Sequence, residues 1–322
     1  MSEKMKRVLI TGITGQDGTY LSKRLLKMGY EVIGTSRDSS VCNTFNLEYF
    51  GLLSEIKIVS MNLADYRSVI KTLKDIKPDQ IYNLGGLTSV GLSFEQPVEA
   101  IESISYGILN ILEAVKTLDL DCKVFNPGSS ECFGNIEINE QAANENTSFK
   151  PRSPYAIAKA TAFWYVKNYR ETYGIKCMTG ILSNHESPLR PRRFVLKKIT
   201  CLANEISKGL SDKIVLGNID IERDWGLAEE YVQAIVKIMY SEKIDDYIIA
   251  SGKTTSLKIL AMKIFEYFDL NLLDHLIIDK NLYRPYEIPR SALNPNKIYK
   301  NLSWKANASI DEIVKNLCEG AS

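Results

Sequence analysis

A tyrosine and a lysine stand at positions 155 and 159, in the stretch SPYAIAKA spanning Ser153–Ala160. On a helix of about 3.6 residues per turn, this spacing puts a phenol and an ammonium on one face. A free phenol titrates near ~10 and is a poor base at neutral pH; a neighbouring ammonium favours the phenolate and lowers that value. A tyrosine so tuned takes the proton of an alcohol or sugar hydroxyl while hydride leaves for a nicotinamide, and the lysine also holds the nicotinamide ribose. Alone, the spacing is common on exposed helix faces. Its meaning depends on what the rest of the chain places beside it.

Two further stretches supply that context. In TGITGQDG, Gly12, Gly15 and Gly18 follow an apolar run and precede an amphipathic one. Glycines there allow a sharp turn and a close approach to a pyrophosphate, which the N–H groups of the following helix attract. The spacing GxxGxxG is weak evidence alone, but a strand before it and a helix after it are the confirming context. In KVFNPGSSE, Ser129 ends an apolar run, where the carboxyl ends of parallel strands face a ligand crevice. Its hydroxyl is placed to bind a reacting oxygen beside Tyr155. Glu131 follows as a candidate second base, with a helix-capping or solvent-facing carboxylate as the alternative. The second apolar run ends GTSRDSS. Ser36 and Arg37 suit the 2′-phosphate of NADP, and Asp38 opposes it, so the choice between NAD and NADP stays open.

The elements that must position these groups are short apolar runs separated by amphipathic helices. RVLIT, YEVIGTS, IKIVSMN, QIYNLG, KVFNPGSS and GIKCMTGILSN read as strands. Helices are expected at about 20–28, 66–76 and 98–117, with another carrying Tyr155 and Lys159. This alternation predicts an α/β fold, a Rossmann-type doubly wound parallel sheet with helices on both faces. Beyond residue 184 the pattern loosens, with helices near 197–208, 228–239 and 256–268 and with prolines 188, 191, 285, 289 and 295. The division expected is a dinucleotide-binding domain over 1–183 and a smaller α/β lobe that binds substrate over 184–322. Segments around 214–254 are candidates to return to the first domain.

Composition narrows the function classes. The chain has 322 residues, 45% hydrophobic and 25% charged, with a formal net charge of +1. That balance argues against a nucleic-acid partner. No run approaches the ~18 apolar residues of a membrane span, and the start lacks the pattern of a secretory leader. The six cysteines show no paired spacing and read as reduced thiols of a cytoplasmic protein. With two histidines and no Cys/His cluster, a metal site is not expected. Lys4, Lys6 and Arg7 read as a solvated basic trio. His185 reads as a packing residue.

TGITGQDGTYL, YNLGGLTSVGLSFEQP, GSSECFG, SPYAIAKA, NYRETYGI, NHESPLRP, GNIDIERDWG and RPYEIPRS together resemble the GDP-mannose 4,6-dehydratases, which are extended short-chain dehydrogenases/reductases. The resemblance runs from about residue 7 to 317, and NHESP followed by RDWG is its most specific part. It implies oxidation of the hexose at C4, loss of water across C5 and C6, and a tightly bound NAD or NADP that ends as it began. By that resemblance Tyr155 is the base at O4, Lys159 its partner, Ser129 the hydroxyl on O4 and Glu131 the base at C5. The cofactor is implied to meet Gly12, Thr14, Gly15, Gln16, Asp17, Gly18, Ser36, Arg37, Asn62, Leu63, Leu84, Gly85, Tyr155 and Lys159. The GDP-sugar is implied to meet Ser89, Asn184, Val195, Lys198, Arg223, Arg284 and Glu287. The apolar, aromatic helices around 98–117 and in ATAFWYVKNY imply a homodimer or homotetramer.

The chain departs from that pattern at four places. Gly85, Gly86 and Leu87 stand where Ala-Ala-Gln is usual, Asn62 where aspartate is, Asp38 where a second arginine is, and Ser129 where threonine is. None removes the C4 oxidation machinery. The readings left open are a 4,6-dehydratase acting on GDP-mannose or on GDP-manno-heptose of surface-polysaccharide pathways, and a GDP-manno-heptose C4 dehydrogenase that stops at the 4-keto sugar. A C4 epimerase or 4-keto reductase fits Glu131 and NHESP less well. A non-catalytic dinucleotide-binding scaffold is the reading from another class, and every catalytic residue it would dispense with is present.

Overall fold

Strand β1, Arg7–Thr11, alternates its side chains across a sheet. Val8 and Ile10 enter one apolar cluster and Leu9 the other. That period of two, with both faces apolar, is what a strand covered by helices on each side requires. The computed structural model describes residues 5–320. Lys4 therefore lies outside the described residues. Arg7 is not merely solvated, since its guanidinium pairs with Glu31 at 2.9 Å and donates to the Ile76 carbonyl at 3.1 Å.

The other strands of this sheet are β2 (Glu31–Ser36), β3 (Lys57–Ser60), β4 (Gln80–Asn83), β5 (Lys123–Ser129) and β6 (Cys177–Leu182). Strands β7 (Asn184–Glu186), β8 (Ile214–Leu216) and β9 (Glu222–Leu227) follow, then β10 (Tyr247–Ile249), β11 (Thr254–Ser256) and β12 (Leu276–Ile278). The main sheet has seven strands in the order β10-β6-β5-β4-β1-β2-β3. Every pairing in it is parallel. The order reverses between β1 and β4, which makes their carboxyl ends the crevice of a doubly wound sheet. This is the Rossmann-type arrangement the alternating pattern predicts. The late strand β10 joins the sheet beside β6, and the helix Ala228–Tyr240 contributes Val232 and Ile235 to the same cluster as Val8 and Ile10.

Local sequence explains the helix that matters most. Ser153 sits in an extended conformation and its hydroxyl accepts the Ala156 N–H at 3.1 Å. Pro154 occupies the first turn, where its missing N–H costs nothing, and Gly174 ends the helix at φ +69°. The helix Pro154–Tyr173 therefore begins just ahead of Tyr155. Its neighbour runs from Pro97 to Thr117, as the sequence pattern indicates, with a π-helical turn over Ile101–Tyr106 that the pattern does not reveal. Ser105 in that turn donates to the Ala158 carbonyl at 3.0 Å, so the irregular turn leans on the helix of Tyr155 and Lys159.

A further apolar cluster packs the elements of the later part of the chain. Leu196, Ile199, Trp225, Leu260, Ile264, Phe265, Ile313 and Leu317 are all buried within it. Its small sheets are β11-β9-β7 and β12-β8. Strand β7 follows β6 after Ser183 alone and pairs in parallel with β9, bringing Asn184 opposite Trp225. The two sheets are thereby joined where the chain leaves the main sheet.

Candidate active site

The glycine loop is built by backbone contacts. Gly12 has φ +64°, and a Cβ there would lie 2.8 Å from the Leu84 carbonyl oxygen and 2.9 Å from Gly85. Gly85 N–H donates to the Thr11 hydroxyl at 2.8 Å. The loop after β1 thus lies directly against the end of β4, at the switch point. A Cβ on Gly18 would meet the Gly12 carbonyl oxygen at 2.5 Å, so the helix Gln16–Lys27 packs as close as its glycine allows. Gly15 is the N-cap and provides no side-chain cap, which leaves first-turn N–H groups facing the crevice.

Four candidate residues surround the end of β5. Ser129 and Glu131 are 8% and 9% exposed. Ser129 Oγ accepts the Glu131 N–H at 3.3 Å. Lys159 donates to the Pro127 carbonyl at 2.8 Å, and its Nζ lies 5.7 Å from the Tyr155 ring centroid. Burial draws the Lys159 pKa down to about 8. Burial pushes the Tyr155 phenol up, against a hydrogen bond with Ser129 that works to lower it. The expectation that Lys159 lowers the phenol's pKa is therefore not met in this geometry. Desolvation outweighs the charges nearby, and the Lys159 ammonium is committed to Pro127.

Glu131 opens a chain of buried charges. Arg223, 3% exposed, places its Nε 3.8 Å from Glu131 and donates to Glu287 at 3.0 Å and to the Ile288 carbonyl at 2.7 Å. Arg284 reaches the same Glu287 oxygen at 3.2 Å. Burial lowers the Arg223 pKa and raises that of Glu287, each opposed by its partners. Buried charges at this density hold only when each is paired. The sequence candidates Glu131, Arg223, Arg284 and Glu287 are thus brought into one network.

Other candidates are placed differently. The Asn62 side-chain oxygen accepts the Ala64 N–H at 3.1 Å in a local turn. Leu63 stands by Gly85, where a Cβ would meet Leu63 Cδ1 at 2.8 Å. Ser89 caps the short helix Val90–Glu95 by accepting from Leu92 at 3.2 Å. Val195 begins the helix Val195–Ser207, and Lys198 on it donates to the Val215 carbonyl at 2.7 Å. Thr14 offers its carbonyl to Asn46 at 3.0 Å. At the end of β2, Asp38 accepts from the Ser40 N–H at 2.9 Å and the Ser40 hydroxyl at 2.6 Å, while Arg37 lies 3.9 Å from Glu99 with its side chain 81% exposed.

Sequence reasoning missed how the loop and the second lobe are tied. His185 Nε2 lies 2.9 Å from Asp17, its Nδ1 lies 2.8 Å from the Ser183 carbonyl, and its ring stacks on Tyr231. Gln16 donates to the His185 carbonyl at 3.1 Å and accepts from the Ser187 hydroxyl at 2.7 Å. Burial works against both charges, yet the pairing holds Asp17 below the usual carboxylate range and His185 above the usual imidazole range. Asp224, 1% exposed, gathers Ser183 Oγ at 2.9 Å, Ser251 N–H at 2.9 Å and Gly252 N–H at 2.7 Å. The aspartate of RDWG and the histidine of NHESP are therefore clasps, and only their unusual segments hinted at it.

Comparison with known proteins places this geometry. A family model described as GDP-mannose 4,6 dehydratase matches residues 9–317. The chain belongs to that family. GDP-mannose 4,6 dehydratase 1 of Arabidopsis thaliana is 40% identical over 324 residues, covering 98% of this chain and 89% of that protein. The Homo sapiens GDP-mannose 4,6 dehydratase is 34% identical over 342 residues, covering 98% and 91%. Among solved structures, a Thermus thermophilus UDP-glucose 4-epimerase complex with NAD matches with a TM-score of 0.85 at 22% identity, over 98% of each chain. A Bacillus anthracis dTDP-glucose 4,6-dehydratase in complex with NAD matches with a TM-score of 0.82 at 18% identity, over 98% of this chain and 95% of that one. At such identities the structures speak to the fold, which is that of the family.

Proposed function

We propose that this protein is a GDP-sugar 4,6-dehydratase, with GDP-mannose or GDP-D-glycero-D-manno-heptose as substrate and a tightly bound NAD or NADP. The observation that carries the reading is the meeting of Ser129, Glu131, Tyr155 and Lys159 at the end of β5, in a chain of this family. The glycine loop fits a dinucleotide: the first-turn N–H groups that follow Gly15 have no side-chain cap, and no side chain fills the approach at Gly12. The residues to hold it are those of the loop, with Ser36 and Arg37 at the end of β2, Asn62 and Leu63 after β3, Leu84 and Gly85 after β4, and Lys159. A dinucleotide held there would supply reversible hydride transfer for the oxidation at C4 and the reduction at C6.

The chain's own groups handle the protons. Ser129 Oγ donates to O4 and fixes it beside Tyr155, and Tyr155 Oη takes the O4 proton. The resulting 4-ketone acidifies C5, and Glu131 removes the C5 proton. The C6 hydroxyl departs as water with one proton, which replaces the one Tyr155 took from O4, and Glu131 returns its proton to C5. Arg223 lies beside this base, its Nε 3.8 Å from the Glu131 carboxylate. Asn184, Val195, Lys198, Arg284, Glu287 and Ser89 line the path of the nucleotide sugar. The product is a 4-keto-6-deoxy sugar, a precursor type for surface polysaccharides.

The domain division supported by the packing is 1–183 and 184–322, with the helix Ala228–Tyr240 and β10 returning to the first unit. A homodimer or homotetramer through the paired helices is supported by the exposure of Val98, Tyr106, Ile157, Trp164 and Tyr173 on them. Among the described residues no helix is long and apolar enough to cross a membrane, and the cysteines are free, in keeping with a cytoplasmic enzyme.

The test is a pair of variants assayed with GDP-mannose. Tyr155→Phe is expected to lower turnover by about 10²–10⁴-fold, with the GDP-mannose dissociation constant held within about threefold. Glu131→Gln is expected to leave C4 oxidation and stop water loss, so that the keto sugar made by one turnover retains its C6 hydroxyl. Full dehydration by Glu131→Gln would remove the proposed base.

A further inference from the structure

The donors of Arg223 are spent on its neighbours. Nη1 donates to the Glu222 carbonyl at 3.0 Å and to the Ile288 carbonyl at 2.7 Å. Nη2 donates to Glu287 at 3.0 Å. Nε faces Glu131 at 3.8 Å, beyond hydrogen-bond reach. The side chains of Glu131 and Glu287 are 12% and 18% exposed, so both acids meet the one cation in a place that is nearly dry.

The backbone around this trio is pinned on both sides. Glu222 N–H donates to the Pro289 carbonyl at 2.8 Å, and Ser291 N–H donates to the Glu222 carbonyl at 3.0 Å. Arg290 N–H donates to the Asn135 side chain at 3.0 Å, and Ile136 N–H donates to the Arg290 carbonyl at 3.0 Å. The segment that carries Glu287 is therefore fastened to β9, which carries Arg223, and to the chain just after Glu131.

A clamp on the C5 base would hydrogen-bond that base. Here the Nη2 bond goes to Glu287, and Glu131 feels the charge without being tied by it. A carboxylate that must collect a proton needs an oxygen that no arginine fork already holds. Burial pushes the Glu287 carboxyl up, Arg284 and Arg223 draw it back, and the Glu131 carboxylate adds to the push, so each acid lies in the field of the other.

We propose that Glu287 is a positioning residue for the C5 base: by holding Arg223 Nη2, it keeps the guanidinium from closing on Glu131. This rests on the GDP-sugar dehydratase reading above. Without the Glu287 charge the buried arginine has one carboxylate left, and a forked pair with Glu131 becomes its best contact. The consequence falls on the step that uses Glu131. Oxidation at C4 uses Ser129 and Tyr155 and is spared.

The experiment compares wild type, Glu287→Gln and Glu287→Asp as holoenzymes turning over saturating GDP-mannose or GDP-manno-heptose. Calorimetry with GDP sets the saturating concentration and shows that each variant is folded. Product is followed by mass, and the reduced fraction of the nicotinamide by absorbance. Slowing the C5 step raises that fraction, and slowing C4 oxidation lowers it. Glu287→Gln is expected to slow dehydration by about tenfold or more and to raise the reduced fraction. Glu287→Asp keeps the charge and is expected to stay within about threefold of the wild-type rate. A crystal structure of Glu287→Gln is expected to show an Arg223 nitrogen about 3 Å from Glu131. Slower dehydration with an unchanged or lower reduced fraction would make Glu287 a substrate contact alone and overturn the proposal. A wild-type rate in Glu287→Gln, or an Arg223 that stays clear of Glu131 in its crystal structure, would overturn it too, with the GDP-sugar reading intact. A wild type that converts neither sugar would overturn both.

Discussion

The glycine-loop crevice and the Glu131–Arg223 side of the site are made by opposite means. The first is backbone against backbone, with Gly12 and Gly18 admitting backbone contacts that a Cβ would block. The second is side chain against side chain, with a buried arginine between two carboxylates and an aspartate gathering three donors. A crevice of the first kind tolerates changes to side chains and no added atoms. A site of the second kind tolerates small shifts of backbone and no lost partners.

The largest effect that tests this contrast is at Asp224. Replacing it with alanine leaves the buried Ser183 hydroxyl and the less buried Ser251 and Gly252 N–H groups without their acceptor, and a stability loss of about 3–5 kcal/mol is expected in urea denaturation. A loss under about 1 kcal/mol would show that the clasp is solvated instead. Next comes Gly12→Ala. Its positive φ and the 2.8 Å contact with Leu84 predict a loss of about 2–3 kcal/mol together with weakened dinucleotide binding, read by thermal shift with added NAD and NADP. An alanine variant with normal binding would break the claim that backbone proximity builds the crevice.

The smallest effect is the His185–Asp17 link, which joins the two regions. His185 has a raised pKa in the fold, so its contribution to stability is complete below the unfolded value near ~6.5 and fades as pH rises through the folded value. Asp17 has a lowered pKa, so its contribution is present above the unfolded value near ~3.9 and fades as pH falls through the folded value. Asp17→Asn is expected to bring the His185 imidazole, followed by NMR, down in pKa, because burial then faces only the Ser183 carbonyl. An unchanged titration would mean that the pair does not couple the loop to β7.

The two regions also differ in how legible they were. The strands RVLIT, QIYNLG and KVFNPGSS and the helix over 66–76 follow from period and punctuation, since a parallel sheet with covered faces imposes short apolar runs. Tyr155, Lys159 and Ser129 were legible for the same reason: their positions are fixed by one helix start and one strand end. The meeting of Arg223 with Glu131 and Glu287 was not, because it joins segments far apart in sequence and depends on loops without periodicity. The π-helical turn at Ile101–Tyr106 and the three-residue strands β7, β8 and β11 leave no pattern long enough to read. The phenol's pKa went the other way from the helix-face argument, because spacing reports neighbours and not burial.

The measurement that tests the central claim most directly is the mass of the product formed from GDP-mannose and, separately, from GDP-manno-heptose, with no cofactor added and the absorbance of reduced nicotinamide followed in parallel. The account predicts a product lighter by one water from one of the two sugars, with no net reduction of the nicotinamide. A product lighter only by two hydrogens, with reduced nicotinamide accumulating on the protein, would contradict it and leave a C4 dehydrogenase in its place.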